Sequence, residues 1–270
     1  MSDADYRRRD LLDALARLPL NDGDVVFCHS NLGFFGRPDC ARGGPAVCNL
    51  FISAIAERLG PAGTMVVPTF TFSFPRHEVF DVQQSTSAMG MFAEAVRRHP
   101  GAMRTADPCY SVAALGARAA ELTANMPENS FADESFFARF FKAEGKVLNF
   151  NFDAGSTFLH YVERVLRVPY RFDKSFQGIL RDKGVERKAT STIWVRYMSD
   201  DSLEAAFEAF DTVARSEGCF TTLRLGRGEL GVITARDCFE LVAHTIERRP
   251  WFLTRAEPLG ITSPRIVAEE

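Results

Sequence analysis

The sequence has few of the features that mark membrane, secreted or nucleic-acid-binding proteins. Its 270 residues are 46% hydrophobic, yet no apolar run approaches the roughly 20 residues that a membrane-spanning helix needs. The formal net charge of -3 and the pI of about 6.0 lack the basic excess that is typical of nucleic-acid binders. The N-terminus mixes both charges and has no apolar core of a signal peptide. We therefore expect a cytoplasmic protein that acts without a membrane or a nucleic acid.

Paired cysteines are also missing. The six cysteines form no C-x-x-C pair and no spacing typical of a zinc site. Reduced thiols and the absence of a bound metal are the simplest expectation.

Apolar runs and helical patterns alternate along the chain, which predicts an α/β fold. We expect a mixed, largely parallel central sheet flanked by helices, in one domain (1–270) with a core (20–168) and a C-terminal, substrate-side subregion (169–260). The predicted strands lie at 24–28, 64–68, 112–115, 147–152 and 190–198, with a hairpin at 221–225 and 229–233. The strand–helix–strand order over 24–68 predicts a parallel, right-handed crossover unit. The predicted helices lie at 5–18, 45–59, 89–99, 116–124, 202–217 and 236–249, with one more inside 130–144, and the tail from 260 is expected to be mobile.

The most informative stretch surrounds His160. An apolar run ends at Phe152, the chain breaks at Asp153 to Gly155, and Ser156 suits the N-cap of a following helix. His160 therefore lies one turn inside a helix, just past a strand end, where ligands collect in open α/β sheets. The helix field there disfavours an imidazolium, so a neutral His160 is a candidate general base. The alternative is a structural histidine.

Several motifs occur together in one order, and together they resemble the aminoglycoside 3-N-acetyltransferase family. They cover roughly residues 20–168, with a weaker match through the last helix. The matching stretches are His29–Leu32, Gly63–Thr71, Phe80–Asp81, Ser87–Glu94, Arg97–Thr105, Asp107–Gly116 and Thr157–Glu163.

The resemblance implies a fold of the family's own type and transfer of an acyl group from acetyl-CoA to a substrate amine. It implies that His160 is the base that removes a proton from the amine. A carboxylate must then support the imidazole. Glu163 and Glu94 match family positions, and Asp153 is suggested by local spacing alone, so all three stay open.

The donor and acceptor sites are predicted from the same motifs. The acyl oxygen needs hydrogen-bond donors, which backbone N–H groups near Ser30 to Leu32 or the hydroxyls of Ser111 and Thr69 offer. Arg104 and Arg37 are available for the phosphates of coenzyme A. The full set of cofactor-binding candidates is His29, Ser30, Asn31, Leu32, Thr69, Phe70, Thr71, Arg104 and Ser111, and the acceptor candidates are Asp81, Asp107, Tyr110 and Asp153.

Two departures from the family pattern bear on the acceptor. Asp107 stands where members acting on antibiotics usually carry a histidine, and residues 171–188 hold six basic residues against three acids. Aminoglycosides are polycations that prefer acidic clefts, so a basic segment favours an anionic acceptor such as a nucleotide-linked amino sugar. Aminoglycoside inactivation, with antibiotic resistance as its result, is the second candidate. The basic segment also fits a solvated loop.

Other classes stay in view. A serine hydrolase or thioesterase is disfavoured because no G-x-S-x-G elbow occurs. A non-catalytic sugar-binding relative remains an alternative because Asp107 departs from the motif. The sequence leaves open whether the acyl group is acetyl, formyl or longer, and whether the chain forms a homo-oligomer.

Overall fold

A computed structural model describes residues 4–267. Its helices are α1 (Arg8–Arg17), α2 (Gly44–Leu59), α3 (Met91–Arg97), α4 (Ala119–Thr123), α5 (Phe136–Lys142), α6 (Phe158–Val165), α7 (Glu208–Ser216) and α8 (Ala235–Ile246). Its strands are β1 (Val25–Ser30), β2 (Thr64–Pro68), β3 (Phe80–Asp81), β4 (Met103–Arg104), β5 (Val112–Gly116), β6 (Lys146–Phe150), β7 (Arg171–Asp182), β8 (Val185–Arg196), β9 (Thr221–Leu225) and β10 (Gly228–Thr234).

A seven-stranded sheet with the order β4-β5-β2-β1-β6-β10-β9 organises the molecule. The expected mixed sheet is confirmed, and its parallel pairing is confined to the central strands β2, β1 and β6. The remaining neighbours pair antiparallel. The predicted parallel β1–α2–β2 unit and the β9–β10 hairpin are both confirmed. Three carboxyl ends of parallel strands thus meet at one edge of the sheet.

The alternation of side chains along β1 divides the core in two. Val25 and Phe27 face a core cluster that includes α5 and α6, whereas Val26 and Cys28 face a second cluster with α1 and α2. Helices therefore cover both faces of the central strands, which explains why these strands read as continuous apolar runs.

The basic stretch 171–188 forms a feature that the sequence did not predict. It contributes β7 and the start of β8, two 12-residue strands that pair along their whole length and form a second sheet with β3. The chain reverses at Lys183 and Gly184, which both have positive φ, as a two-residue hairpin turn requires. Part of the charge is neutralised, since Arg181 forms ion pairs with Glu186 and Asp81. The alternative prediction, that residues 171–188 form a solvated loop, is therefore wrong about their secondary structure.

Most of the predicted helices are shorter in the structure. The segment predicted as 116–124 begins at Ala119, because Gly116, with φ 134°, still belongs to β5. The helix inside 130–144 is α5, and the one predicted at 202–217 is α7, which follows a short 3-10 turn capped by Asp200.

The C-terminal tail is partly anchored. Ser199 Oγ donates to the carbonyl of Arg265 and accepts the N–H of Val267. The rest of the predicted mobile tail, residues 268–270, lies outside the described residues. Between residues 4 and 267, the helices are all too short or too polar to cross a membrane.

Candidate active site

His160 is held at the carboxyl end of β6. The strand ends at Phe150, a turn follows, and α6 begins at Phe158 with Thr157 at the cap position. Ser156, the predicted cap, still contributes, because its Oγ accepts the N–H of Phe158 at 3.2 Å. His160 is thus in the first turn of α6, as the strand–turn–helix pattern predicted.

Glu163 is the carboxylate that contacts His160. Its Oε2 lies 2.6 Å from His160 Nδ1, and its side chain is 0% exposed, against 15% for the histidine. Tyr170 donates its hydroxyl to Glu163 Oε1 at 2.9 Å. Arg171 Nε lies 2.8 Å from Oε2 in an ion pair whose N–H does not point at that oxygen. Tyr170 and Arg171 therefore hold the Glu163 carboxylate in place, and this carboxylate orients the His160 imidazole.

The charges in this cluster set its protonation. Burial raises the pKa of Glu163, but Arg171 and His160 together outweigh it and hold this pKa below its usual value. Burial and then Arg171 lower the pKa of His160, with Glu163 opposing both. Because an ionised carboxylate only accepts hydrogen bonds, the Nδ1 atom of a neutral His160 must carry the proton. The Nε2 lone pair is then available to take a proton from a substrate.

A cavity of about 400 Å³ opens beside His160. Of the four acceptor candidates from the sequence, Tyr110 lines it. Its charged lining comprises Arg171, Lys174, Arg196 and Glu204. The sequence reasoning missed the part of this lining that β7 contributes, which is Arg171, Lys174 and Phe176, because it did not recognise residues 171–182 as a strand. Trp194, Val195 and Arg196 come from the strand that it predicted at 190–198.

The other three acceptor candidates, Asp81, Asp107 and Asp153, are not among the residues that line this cavity. Asp107 is buried and accepts the N–H groups of Cys109 and Tyr110, and burial raises its pKa. Asp81 accepts from the N–H groups of two residues that follow it in the chain. Asp153 accepts the N–H of Gly155, three residues before α6 begins at Phe158.

Glu94 lies in a separate ion-pair cluster. It pairs with Arg97 and Arg98 and accepts the N–H of Ser87. Its hydrogen bond with Arg97, helped by those from Ser87 and Arg98, outweighs its burial and lowers its pKa to about 2. Its described contacts do not include His160, so this geometry favours Glu163 over Glu94 as the partner of the imidazole.

A second cavity, of about 480 Å³, lies where β1 ends and α2 begins. Three of the predicted donor-side residues, Ser30, Asn31 and Leu32, line it together with Arg37 and Arg42. The start of the 16-residue helix α2 also borders it through Gly43 and Gly44. Two arginines beside a helix N-terminus suit an anionic group, and the apolar part of the lining suits an uncharged chain.

Most of the remaining cofactor-binding candidates form a buried network of hydrogen bonds and ring contacts. Ser111 Oγ donates to the carbonyl of Thr69 at 2.7 Å, and Arg104 donates to the same carbonyl at 2.7 Å and to that of Ser85 at 2.6 Å. Thr71 donates to the carbonyl of Pro108, and the Phe70 ring packs on Tyr110. Arg104 is thus surrounded by protein acceptors, which favours a structural role over a contact with phosphate.

His29 differs from the other cofactor-binding candidates. It is half-buried, its ring packs edge-on against Phe27 and also lies near Phe152, and both ring nitrogens are sealed from solvent without a hydrogen-bond partner. Burial lowers its pKa to about 4, so the ring is neutral near pH 7. Across residues 4–267, no three histidine, cysteine or acidic side chains are placed to hold a metal ion together.

Sequence reasoning missed Tyr170 and Arg171. They contact Glu163 because the chain turns sharply after α6, where the N–H of Val168 donates to the carbonyl of Glu163. No local sequence pattern indicates that the chain brings Tyr170 and Arg171 back to Glu163. The one available signal was the early position of Arg171 in the basic stretch.

Known proteins are similar to this chain in both sequence and fold. The sequence profile of the aminoglycoside 3-N-acetyltransferases matches residues 28–247. Aminoglycoside N(3)-acetyltransferase VII of Streptomyces paromomycinus is 30% identical over 92% of this chain and 89% of its own. Aminoglycoside N(3)-acetyltransferase IX of Micromonospora chalcea is 28% identical over 83% of this chain and 85% of its own.

Solved structures agree. Aminoglycoside acetyltransferase AAC(3)-Xa superposes with a TM-score of 0.77 at 25% identity, covering 89% of this chain and 92% of its own. The complex of AAC-IIIb with CoASH superposes with a TM-score of 0.75 at 23% identity, covering 90% of this chain and 97% of its own. The second likeness is one of fold.

Proposed function

The chain belongs to the aminoglycoside 3-N-acetyltransferase family, and on that premise we propose that it acetylates an amine of an aminoglycoside. It is an N-acetyltransferase with acetyl-CoA as its donor. Of the two acceptors that the sequence left open, the relatives favour the aminoglycoside over the nucleotide-linked amino sugar. The basic stretch behind the first expectation lies in a ribbon where ion pairs neutralise part of its charge.

The observation that carries the proposal is the buried Glu163 carboxylate, 2.6 Å from His160 Nδ1. With Nδ1 protonated, Nε2 accepts a proton from the attacking amine as its nitrogen bonds to the thioester carbon. The carbon–sulfur bond then breaks, and the proton passes from the imidazolium to the departing thiolate. Glu163 stabilises the imidazolium between these steps.

The cavity between β1 and α2 fits the donor. Arg37 and Arg42 supply positive charge for the phosphates of coenzyme A, and Leu32 supplies apolar surface for its pantetheine arm. We keep backbone N–H groups near Ser30 to Leu32 as candidates for stabilising the acyl oxygen. The N–H of Asn31 is already used, since it donates to the carbonyl of Phe150 at 3.0 Å.

Carboxylates near α6 fit a polycationic acceptor. Burial, followed by the charges of Asp211 and Glu208, raises the pKa of Asp153. The Phe207 ring, next to Glu208, lies 5.8 Å from the His160 ring. Asp153 and Asp211 both accept backbone N–H groups of the turn that precedes α6, and we propose that these acids attract the ammonium groups of an aminoglycoside.

We also propose that the chain is one acyltransferase domain. The sheet supports this, because β10, from the C-terminal subregion, pairs with β6 at its centre. Homo-oligomer formation and a cytoplasmic location stay predictions.

The test is an acetyl-transfer screen. Free thiol is measured after mixing the protein and acetyl-CoA with sisomicin, gentamicin, apramycin or a nucleotide-linked amino sugar, and products are identified by mass and NMR. We expect amine-dependent thiol release and acetylation of the 3-amine of an aminoglycoside. Release without an amine would indicate a thioesterase, and CoA binding without turnover would indicate a binding protein.

A further inference from the structure

Asn149 holds the turn that leads to the base. It is 0% exposed near the end of β6, and its amide donates to the carbonyl of Asp153 at 2.5 Å and to that of Gly155 at 3.1 Å. These carbonyls belong to the turn that connects β6 to α6. Both N–H groups of one side chain therefore fix the path of the chain just before the helix that carries His160.

The other end of this amide lacks a partner. Asn149 Oδ1 is buried without a hydrogen bond to any described residue, and the same is true of both ring nitrogens of His29. His29 pairs with Asn149 in the parallel register of β1 and β6. Phe27 and Val147, each two residues earlier, share one core cluster, so His29 and Asn149 project from the same face of the sheet.

The two unpaired groups are complementary. A neutral imidazole carries one N–H donor, and an amide oxygen is an acceptor. Neighbouring strands are about 4.8 Å apart, so the side chains of paired residues on one face of the sheet are neighbours. A buried donor and a buried acceptor are each costly when unpaired, which favours their pairing.

We propose that His29 and Asn149 act as one positioning unit, in which the imidazole orients the amide and the amide holds the 153–155 turn so that α6 presents His160 to the substrate. This role rests on the proposed acetyl transfer. In this role His29 acts through Asn149, whereas the sequence predicted that His29 contacts acetyl-CoA.

Kinetics of four variants test the unit. We expect Asn149→Ala to lower kcat by roughly 10- to 100-fold, with KM for acetyl-CoA and acceptor within about threefold, since alignment is lost and binding surfaces remain. His29→Leu should lower kcat by roughly five- to tenfold, and His29→Gln, which keeps a donor, should recover most of it. The double variant Asn149→Ala with His29→Leu should match Asn149→Ala alone, because the residues act in series.

A matched control removes another buried hydrogen bond. Thr123 donates to the carbonyl of Ala119 inside α4, so Thr123→Val should reduce stability without changing kcat. If His29→Leu keeps wild-type kcat and raises Tm, His29 is an unpaired core residue and the proposal is overturned. A selective rise in KM for acetyl-CoA in His29→Leu also overturns it, because His29 then contacts the donor.

A spectroscopic measurement separates this inference from the proposed function. The proton between His160 Nδ1 and Glu163 should give a downfield imidazole N–H resonance in the wild type. We expect it to shift or broaden in Asn149→Ala and to stay unchanged in Thr123→Val. That result with no acetyl transfer in the wild type would contradict the proposed function alone, whereas an unchanged resonance with wild-type kcat in Asn149→Ala would contradict the positioning role.

Discussion

Replacing Glu163 by glutamine perturbs the cluster at its centre. The carboxylate contacts the imidazole, a tyrosine hydroxyl and Arg171 at 2.6, 2.9 and 2.8 Å, and it is 0% exposed. Glu163→Gln leaves the buried Arg171 without its counter-charge. Because breaking a buried ion pair on one side costs about 3–5 kcal/mol, we expect the free energy of unfolding to fall by that amount.

The same variant should affect the chemistry. Without the negative charge, the imidazolium that forms on His160 loses its stabilisation and its fixed tautomer, so we expect kcat to fall by roughly 10²- to 10⁴-fold. Glu163 is also the group that raises the pKa of His160 against burial and Arg171. Its removal lowers that pKa further, so the acid limb of the kcat–pH profile should move to lower pH.

The assay is steady-state thiol release across pH, with urea unfolding in parallel. Glu121→Gln is the control, since this carboxylate pairs with Arg118 at the surface. We expect its kcat to equal that of the wild type, and its free energy of unfolding to fall only by the small contribution of a surface ion pair. A kcat for Glu163→Gln within threefold of wild type, or an acid limb that moves to higher pH, would refute the reasoning.

Three further outcomes follow from the contacts around the site. Tyr170→Phe removes the hydrogen bond to Glu163 Oε1 and should lower kcat by roughly five- to twentyfold at unchanged KM, as measured by the same thiol assay. Asp153→Asn should raise KM for an aminoglycoside more than KM for acetyl-CoA, because it removes a carboxylate from the turn that precedes α6; an equal effect on both would count against a role of Asp153 in binding the acceptor. The pKa of Glu94 is lowered to about 2 in the fold, so its stabilisation is complete above its unfolded value of about 4.5 and is lost as pH falls through about 2. Urea unfolding at pH 5 and pH 3 should therefore show a smaller loss of stability for Glu94→Gln than for wild type.

The elements that sequence reasoning found are those whose signal is local. Strands β1 and β2 are buried on both faces, so their apolar runs predicted them and their parallel crossover. His160 and Glu163 lie three apart on one helix, and that spacing alone put them on one face.

The misses come from long-range packing. Strand β7 lies in an exposed ribbon whose side chains alternate between exposed and half-buried, so no apolar periodicity distinguished it from a loop. The contact of Arg104 with a phosphate stays a prediction, and the sequence did not show that its guanidinium donates to the carbonyls of Thr69, Val82 and Ser85. Whether an arginine ends at the surface or inside depends on the strands that pack over it, which the sequence does not show.

The most direct test compares wild type and His160→Ala in thiol release from acetyl-CoA with sisomicin present and absent, and in CoA binding by calorimetry. We predict amine-dependent release by the wild type, a roughly 10²- to 10⁴-fold lower kcat for the variant, and nearly equal CoA affinity for both. An unchanged kcat in His160→Ala, or release by the wild type that does not depend on the amine, would contradict the assignment of His160 as the base of an amine acetyltransferase.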